Sequence, residues 1–326
     1  MENVRRVFVS GHRGMAGSAI CRALEKFDDV EIISRTRDEL DLTRQESVET
    51  FFRENEIDEV YLAAARVGGI YANSIYSADF LIDNLSIEIN VIRAAFESNV
   101  KKLLFLGSSC IYPKFAPQPM SEESLLSGHL EETNDAYAIA KIAGLKLVEC
   151  LNRQYGDSLG IDYRSVMPTN MYGLGDNYHH ENSHVIPSLI RRFHEAKVSK
   201  SRSVKVWGTG ETRREFIFSD DFADACIHVM SMDKSQFSKL TKSTGYFLNV
   251  GSGVDMTIRE LVEEIKKTTG FQGEIEFDGS KPSGTPRKWL NVERLFSSGW
   301  SPKISFSLGL KMAYDDFISN PLPAKR

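Results

Sequence analysis

The sequence predicts an α/β protein, with a doubly wound parallel sheet in its first half and a smaller α/β domain in its second. Three observations carry this. An apolar strand at the N-terminus runs into a glycine turn and then a helix. Further apolar strands follow at the spacing that βαβ units require. The 326 residues, 41% hydrophobic and 26% charged, suffice for a sizeable core in one large or two fused domains.

Residues 4–9 form the first apolar run. They enter Ser10-Gly11-His12-Arg13-Gly14-Met15-Ala16-Gly17, and residues 18–26 then read as a helix. Strand, turn and helix together are the context in which a GxxGxxG motif binds a dinucleotide. Gly11 permits the tight turn, Gly14 lets the backbone approach a pyrophosphate, and Gly17 lets the helix pack closely on the strand. The helix N-terminus then faces the phosphates with its free N–H groups. Further strands are predicted at 30–33, 59–64 and 102–107, then at 160–166 and 246–250. Helical stretches between them argue for a parallel sheet covered on both faces. The expected boundaries are 1–170 for a Rossmann domain, with later returns near 215–255. Segments 171–214 and 256–326 form the second domain.

The end of the second strand bears on the cofactor. NAD sites usually place an acidic residue there for the ribose hydroxyls. Here Ser34-Arg35-Thr36-Arg37 supplies cations and a hydroxyl, which suit a 2′-phosphate and predict NADP, although Asp38 and Asp41 follow shortly.

Composition excludes several classes. Net charge is −5, and no basic run argues for nucleic acid or a membrane surface. No apolar run reaches the roughly 18 residues of a membrane span, and the N-terminus has no signal-peptide core. A cytosolic protein is expected. Cys21, Cys110, Cys150 and Cys226 have no zinc-like or CxxC spacing, so free thiols are expected.

The chemistry lies in the middle of the chain. Tyr137 and Lys141, four apart on a helix, share one face. A lysine cation beside a phenol favours the phenolate and lowers its pKa from about 10. Ser108, at the end of the 102–107 run, can hold a substrate oxygen beside them. Cys110 shares its parity if the extended geometry persists. A thiol there is either a base for a carbon next to a ketone or a small buried cysteine. His179, His180 and His184 offer an acid partner, and position alone does not choose among them. No completing pattern makes them a metal site, so no metal is expected.

Gly11-x-x-Gly14-x-x-Gly17, Ser108 and Tyr137-x-x-x-Lys141 resemble the extended short-chain dehydrogenase/reductases. Residues 10–15, 63–70, 106–113, 168–173, 182–187 and 284–288 narrow the resemblance to the GDP-L-fucose synthase family. It runs from about residue 4 to about residue 318. The resemblance implies NADPH-dependent conversion of GDP-4-keto-6-deoxy-D-mannose to GDP-L-fucose, by 3,5-epimerisation and then reduction of the 4-keto group. Cys110 would be the base at carbons 3 and 5, and His184 the acid on the opposite face. Tyr137 would give its proton to the carbon 4 oxygen, with Ser108 bonded to that oxygen. Lys141 would lower the Tyr137 pKa and hold the nicotinamide ribose.

For the cofactor, the resemblance implies contacts from Gly11, Arg13, Gly14, Met15 and Gly17. Arg37, Asp41 and Leu42 would line its adenosine end. Leu106, Gly107, Lys141, Pro168, Asn170, Met171 and His184 would line the rest. Ser109, Asn170, Arg192, Trp207, Arg214, Ser283 and Lys288 would hold the GDP-sugar. Arg191-Arg192 and Arg213-Arg214 are adjacent pairs, of which one member each is expected to be solvated, and Trp207 could equally be core. Ser283 departs from the family, which often has Asp there. The resemblance also implies a homodimer through a four-helix bundle, for which 87–96 and 136–151 supply amphipathic stretches. The alternatives are another nucleotide-sugar 4-reductase or epimerase, a non-catalytic NADP sensor, and an inert assembly subunit.

Overall fold

Apolar residues at alternate positions let one strand feed two cores. In β1 (Arg5–Ser10), Phe8 packs into one core while Val7 and Val9 pack into another on the opposite face. The computed structural model describes residues 4–180, 183–280 and 285–320. After β1 come α1 (Met15–Leu24), β2 (Val30–Ile33), α2 (Gln45–Glu54), β3 (Glu59–Leu62), α3 (Ile70–Ile75), α4 (Ser77–Glu97) and β4 (Lys102–Leu106). Next are α5 (Asp135–Tyr155), β5 (Asp162–Pro168), β6 (Asn170–Tyr172), α6 (Val185–Val198), β7 (Ser203–Trp207) and β8 (Arg213–Phe218). The chain continues through α7 (Ser219–Ser231), α8 (Lys234–Thr241), β9 (Phe247–Val250), β10 (Asp255–Thr257) and α9 (Ile258–Thr269). It closes with β11 (Glu274–Asp278), β12 (Arg287–Lys288), α10 (Glu293–Ser297) and α11 (Phe306–Ser319).

The main sheet is parallel throughout, in the order β2-β1-β3-β4-β5-β9. Helices α2, α4 and α5 supply the core on one face, and α1 and α7 the core on the other. The order reverses between β1 and β3, and open α/β sheets bind ligands at the carboxyl ends of the strands flanking such a point. β9 returns late in the chain to close the far edge.

The second half adds β10-β8-β12, with β6 on β8, and a separate pair of β7 with β11. A third core lies beneath them, around Tyr172, Phe193, Phe216, Phe218, Leu261 and Phe317. Most of these strands are absent from the sequence prediction. β12 has two residues and β6 and β10 three each, too few to show a period of two. Boundaries also move. The helix predicted at 18–26 starts at Met15, because Gly14 is its N-cap. The strand predicted at 160–166 runs Asp162–Pro168. Among the described residues, no helix is long and apolar enough to cross a membrane.

Candidate active site

The glycine turn has the shape its spacing implies. Gly11 sits at φ +74°, and a Cβ there would lie 2.8 Å from the Ala64 backbone just past β3. A Cβ on Gly17 would lie 2.2 Å from the Gly11 carbonyl oxygen. Gly14 donates its N–H to that same oxygen at 2.9 Å and caps α1 without a side chain. The first turn of α1 carries no acidic residue, and Met15 and Gly17 lie within its first three positions. These features fit a dinucleotide pyrophosphate on the helix N-terminus.

The end of β2 is basic. Arg13 and Arg35 both bear on Glu39, and Arg37 bears on Asp41. Bonds from Thr43 hold the Asp41 carboxyl below its usual range, with Arg37 and Arg44 assisting. Arg35 turns back onto the Ser34 carbonyl at 2.8 Å and stacks 5.4 Å from the Phe51 ring centre. Arg37 is exposed beside it. The Leu42 carbonyl accepts the Asn90 amide at 2.9 Å. At the carboxyl ends of β4 and β5, a Cβ on Gly107 would lie 2.2 Å from Met167 Sδ. Pro168 ends β5, and Asn170 and Met171 begin β6, where Asn170 donates to the Glu215 carbonyl at 2.8 Å.

The reactive cluster forms where the turn after β4 meets the first turn of α5. Extended geometry does not persist past Ser108, so the parity argument for Cys110 fails. A turn of 3-10 helix, Ser109–Ile111, follows instead, and Ser108 Oγ caps it by accepting the Cys110 N–H at 3.2 Å. Cys110 nevertheless faces the cleft. Asn134 Nδ2 donates to its sulfur at 3.3 Å and Lys288 Nζ at 3.4 Å. Asn134 is the N-cap residue of α5, yet its side chain makes no cap bond and turns to the sulfur. Ser109 is buried.

Tyr137 and Lys141 share a helix face, with Lys141 Nζ 5.9 Å from the Tyr137 ring centre. The expected depression of the phenol is not what the structure gives. Burial first, then Cys110 and Glu88, push the Tyr137 phenol above its usual range, and a hydrogen bond with Ser108 pulls it back. Burial is the main reason, and the partner of Lys141 adds to it. Its ammonium lies 3.1 Å from the buried carboxylate of Glu88 on α4 and donates to the Leu106 carbonyl at 3.0 Å. Glu88 was not anticipated. The signal was a lone charge at Ile87-Glu88-Ile89, within an apolar stretch.

The structure distinguishes the three histidines. The His180 ring meets the Arg191 guanidinium and lies 3.8 Å from Glu195 on α6. The His179 N–H donates to Asn177 at 3.0 Å. His184, the N-cap residue of α6, is exposed yet has protein atoms crowded around its ring. That crowding first, and the Lys288 charge second, lower its pKa. Lys288 thus donates to the Cys110 sulfur, and its charge also acts on His184.

Strand register resolves one arginine pair. β12 runs parallel to β8 with Arg287 opposite Arg213 and Lys288 opposite Arg214. Arg213 and Arg287 both clasp Asp255 of β10, at 3.0 and 2.6 Å. Alternation puts Arg214 and Lys288 on the other face, with Cys110. Arg191 is paired with Glu195 at 2.7 Å, whereas Arg192 donates to the Lys205 carbonyl. Burial lowers both Arg192 and Arg214, and neither pairs with a carboxylate among the described residues. Trp207 is 66% exposed at the end of β7, so it is not core. Ser283 lies outside the described residues. Among the described residues, no group of three or more His, Cys, Asp or Glu side chains could hold a metal ion.

Residues 7–240 match the NAD dependent epimerase/dehydratase family. GDP-L-fucose synthase of Escherichia coli (strain K12) is 56% identical over 97% of each chain. The chain belongs to the NAD dependent epimerase/dehydratase family and, within it, to the GDP-L-fucose synthase family. Two solved structures share its fold. A GDP-6-OMe-4-keto-L-xylo-heptose reductase from C. jejuni superposes with a TM-score of 0.91 at 36% identity, covering 98% of this chain and 99% of that one. A GDP-mannoheptose C4 reductase from Campylobacter jejuni with NADP bound gives 0.85 at 36% identity, with the same coverage.

Proposed function

We propose that this protein converts GDP-4-keto-6-deoxy-D-mannose to GDP-L-fucose, by 3,5-epimerisation followed by NADPH-dependent reduction of the 4-keto group. One observation carries the dual activity. A reductase needs Ser108, Tyr137 and Lys141, and here a cysteine stands beside them with donors from Asn134 and Lys288 on its sulfur, and the Lys288 charge also acts on His184.

Cys110, as the base, takes the proton from one of carbons 3 and 5, and the electron pair moves onto the carbon 4 oxygen. Ser108 and Tyr137 hydrogen-bond that oxygen and stabilise the enolate; such donors typically contribute about 3–4 kcal/mol each. His184 returns a proton on the opposite face; Cys110 then gives its proton to solvent and His184 takes one up, and the same exchange occurs at the other of the two carbons. NADPH, when bound, supplies hydride to carbon 4. Tyr137 then gives its O–H proton to the carbon 4 oxygen, a step that needs the protonated phenol the structure provides. Arg192 and Arg214 offer planar forks to the diphosphate. Asn134 Oδ1, buried without a partner among the described residues, is an acceptor for a sugar hydroxyl.

NADP over NAD rests on Arg13, Arg35 and Arg37 at the end of β2 and on the relative with NADP bound. The rival is a plain 4-reductase; of the two C. jejuni relatives, one is named a C4 reductase and the other a reductase of a 4-keto sugar. Incubation with the keto-sugar and NADPH in deuterated water separates them. Deuterium at carbons 3 and 5 of a fucosyl product is the expected result, and NADPH loss without deuterium would establish the reductase.

We also infer a cytosolic homodimer. Four free thiols suit a reducing compartment. Ile82 and Ile89 on α4 and Ile139 on α5 are 61%, 47% and 48% exposed, on neighbouring helices that together could build half of a four-helix bundle. Mass measurement at micromolar protein is expected to give twice 36.7 kDa; a species at the single-chain mass would reject the dimer.

A further inference from the structure

Among the buried ionisable side chains that the mechanism above leaves unused, one lies beside the catalytic lysine. Glu88 on α4 is 1% exposed, and its carboxylate lies 3.1 Å from the ammonium of Lys141 on α5, which is 2% exposed. Burying either charge alone is costly, so each needs the other. The helices are shaped for the pair. Gly144, three residues beyond Lys141, is where α5 meets this carboxylate, and a Cβ there would stand 2.5 Å from Glu88 Oε2. Lys141 also meets the Leu106 carbonyl at 3.0 Å, the Phe105 ring centre at 4.8 Å and the Tyr137 ring centre at 5.9 Å.

The charged and titratable groups around Tyr137 come from three elements. Glu88 faces it from α4, Lys141 from α5 and Cys110 from the turn after β4, beside the hydroxyl of Ser108. Lys288 on β12 reaches it only through Cys110. Glu88 is thus the carboxylate that opposes Lys141 at this phenol.

We propose that Glu88 is a positioning residue for the reduction: its carboxylate fixes the Lys141 ammonium beneath the Leu106 carbonyl and, by balancing that charge, keeps the transferable proton on Tyr137. This rests on the assignment of Tyr137 as proton donor. An unopposed lysine would drive the phenol towards phenolate, which accepts a proton rather than giving one. Glu88 therefore raises the pH up to which the Tyr137–Lys141 pair can give a proton.

The test is Glu88→Gln, read by 13C NMR of tyrosine labelled at Cζ. The Tyr137 signal is assigned by its loss in Tyr137→Phe. In Glu88→Gln the Tyr137 titration is expected to move down by about one unit. The alkaline limb of NADPH consumption moves down with it, because the proton donor is lost at lower pH. Glu88→Asp, which keeps the charge, is expected to restore most of the wild-type titration. A Tyr137 titration unmoved in folded Glu88→Gln would overturn the proposal. If Glu88→Gln does not fold, Glu88→Gln/Lys141→Met removes both charges: recovered folding supports the pair, and continued failure overturns it. The NMR titration needs no substrate, whereas NADPH consumption by the unaltered protein tests the parent assignment, so the two can fail separately.

Discussion

Tyr137→Phe is expected to lower the rate of NADPH oxidation with the keto-sugar by roughly 100- to 10,000-fold, the usual contribution of a positioned general acid. NADPH affinity is expected to stay within a few-fold. The substitution deletes one oxygen and keeps the ring, so α5 and the Lys141–Glu88 pair are undisturbed. What is lost is the proton for the carbon 4 oxygen. Burial, Cys110 and Glu88 all keep that proton on the phenol at neutral pH, and only the Ser108 bond works against them. Ser108 alone can hold the oxygen but has no comparable proton to give. Stopped-flow absorbance at 340 nm reads the rate, and NADPH fluorescence titration reads the affinity. A variant that keeps more than about a tenth of the rate would remove Tyr137 from the proton-donor role. Deuterium exchange at carbons 3 and 5 is expected to survive at a reduced level, since Cys110 and His184 remain.

The same residues show how far a sequence carries an argument. The glycine turn was legible because its requirements are local: Gly11 and Gly17 answer clashes with atoms a few residues or one strand away. Tyr137 and Lys141 were legible because helix geometry fixes which face they share. The sign of the Tyr137 shift was not, because it follows first from burial and then from Cys110 and from Glu88, which lies 49 positions before Tyr137 and on a different helix. The proximity of Cys110 to Ser108 was anticipated for the wrong reason, since a 3-10 turn brings it about. The adjacent arginines were ambiguous in sequence. β12 pairs with β8 and Asp255 claims Arg213 and Arg287, which leaves Arg214 beside Lys288. A two-residue strand leaves no periodic trace, so that pairing was invisible. His184 was one of three, and the Lys288 charge that acts on it sits on β12, far along the chain.

Cys110→Ser separates the two halves of the reaction. Deuterium incorporation at carbons 3 and 5 is expected to fall by at least about 100-fold, while NADPH is still consumed and yields a reduced, unepimerised GDP-sugar. The sulfur receives N–H donors from Asn134 and Lys288, at 3.3 and 3.4 Å, and both stabilise negative charge there. A serine oxygen fits the same donors, so binding and fold are preserved. An alcohol, however, holds its proton far more tightly than a thiol, and a positioned base that cannot ionise near neutral pH does not remove a proton from carbon. Reduction does not pass through this atom: Tyr137 and Ser108 act on the carbon 4 oxygen whichever epimer is bound. Product NMR after complete NADPH consumption distinguishes the outcomes. Exchange at the wild-type level would show that another group removes the protons, and would make Cys110 a packing residue of the turn. Loss of exchange together with loss of NADPH consumption would mean that only the epimerised sugar can be reduced. The cleft would then select its substrate at the second step by the configuration at carbons 3 and 5, with Arg214 and Lys288 fixing the sugar against Tyr137.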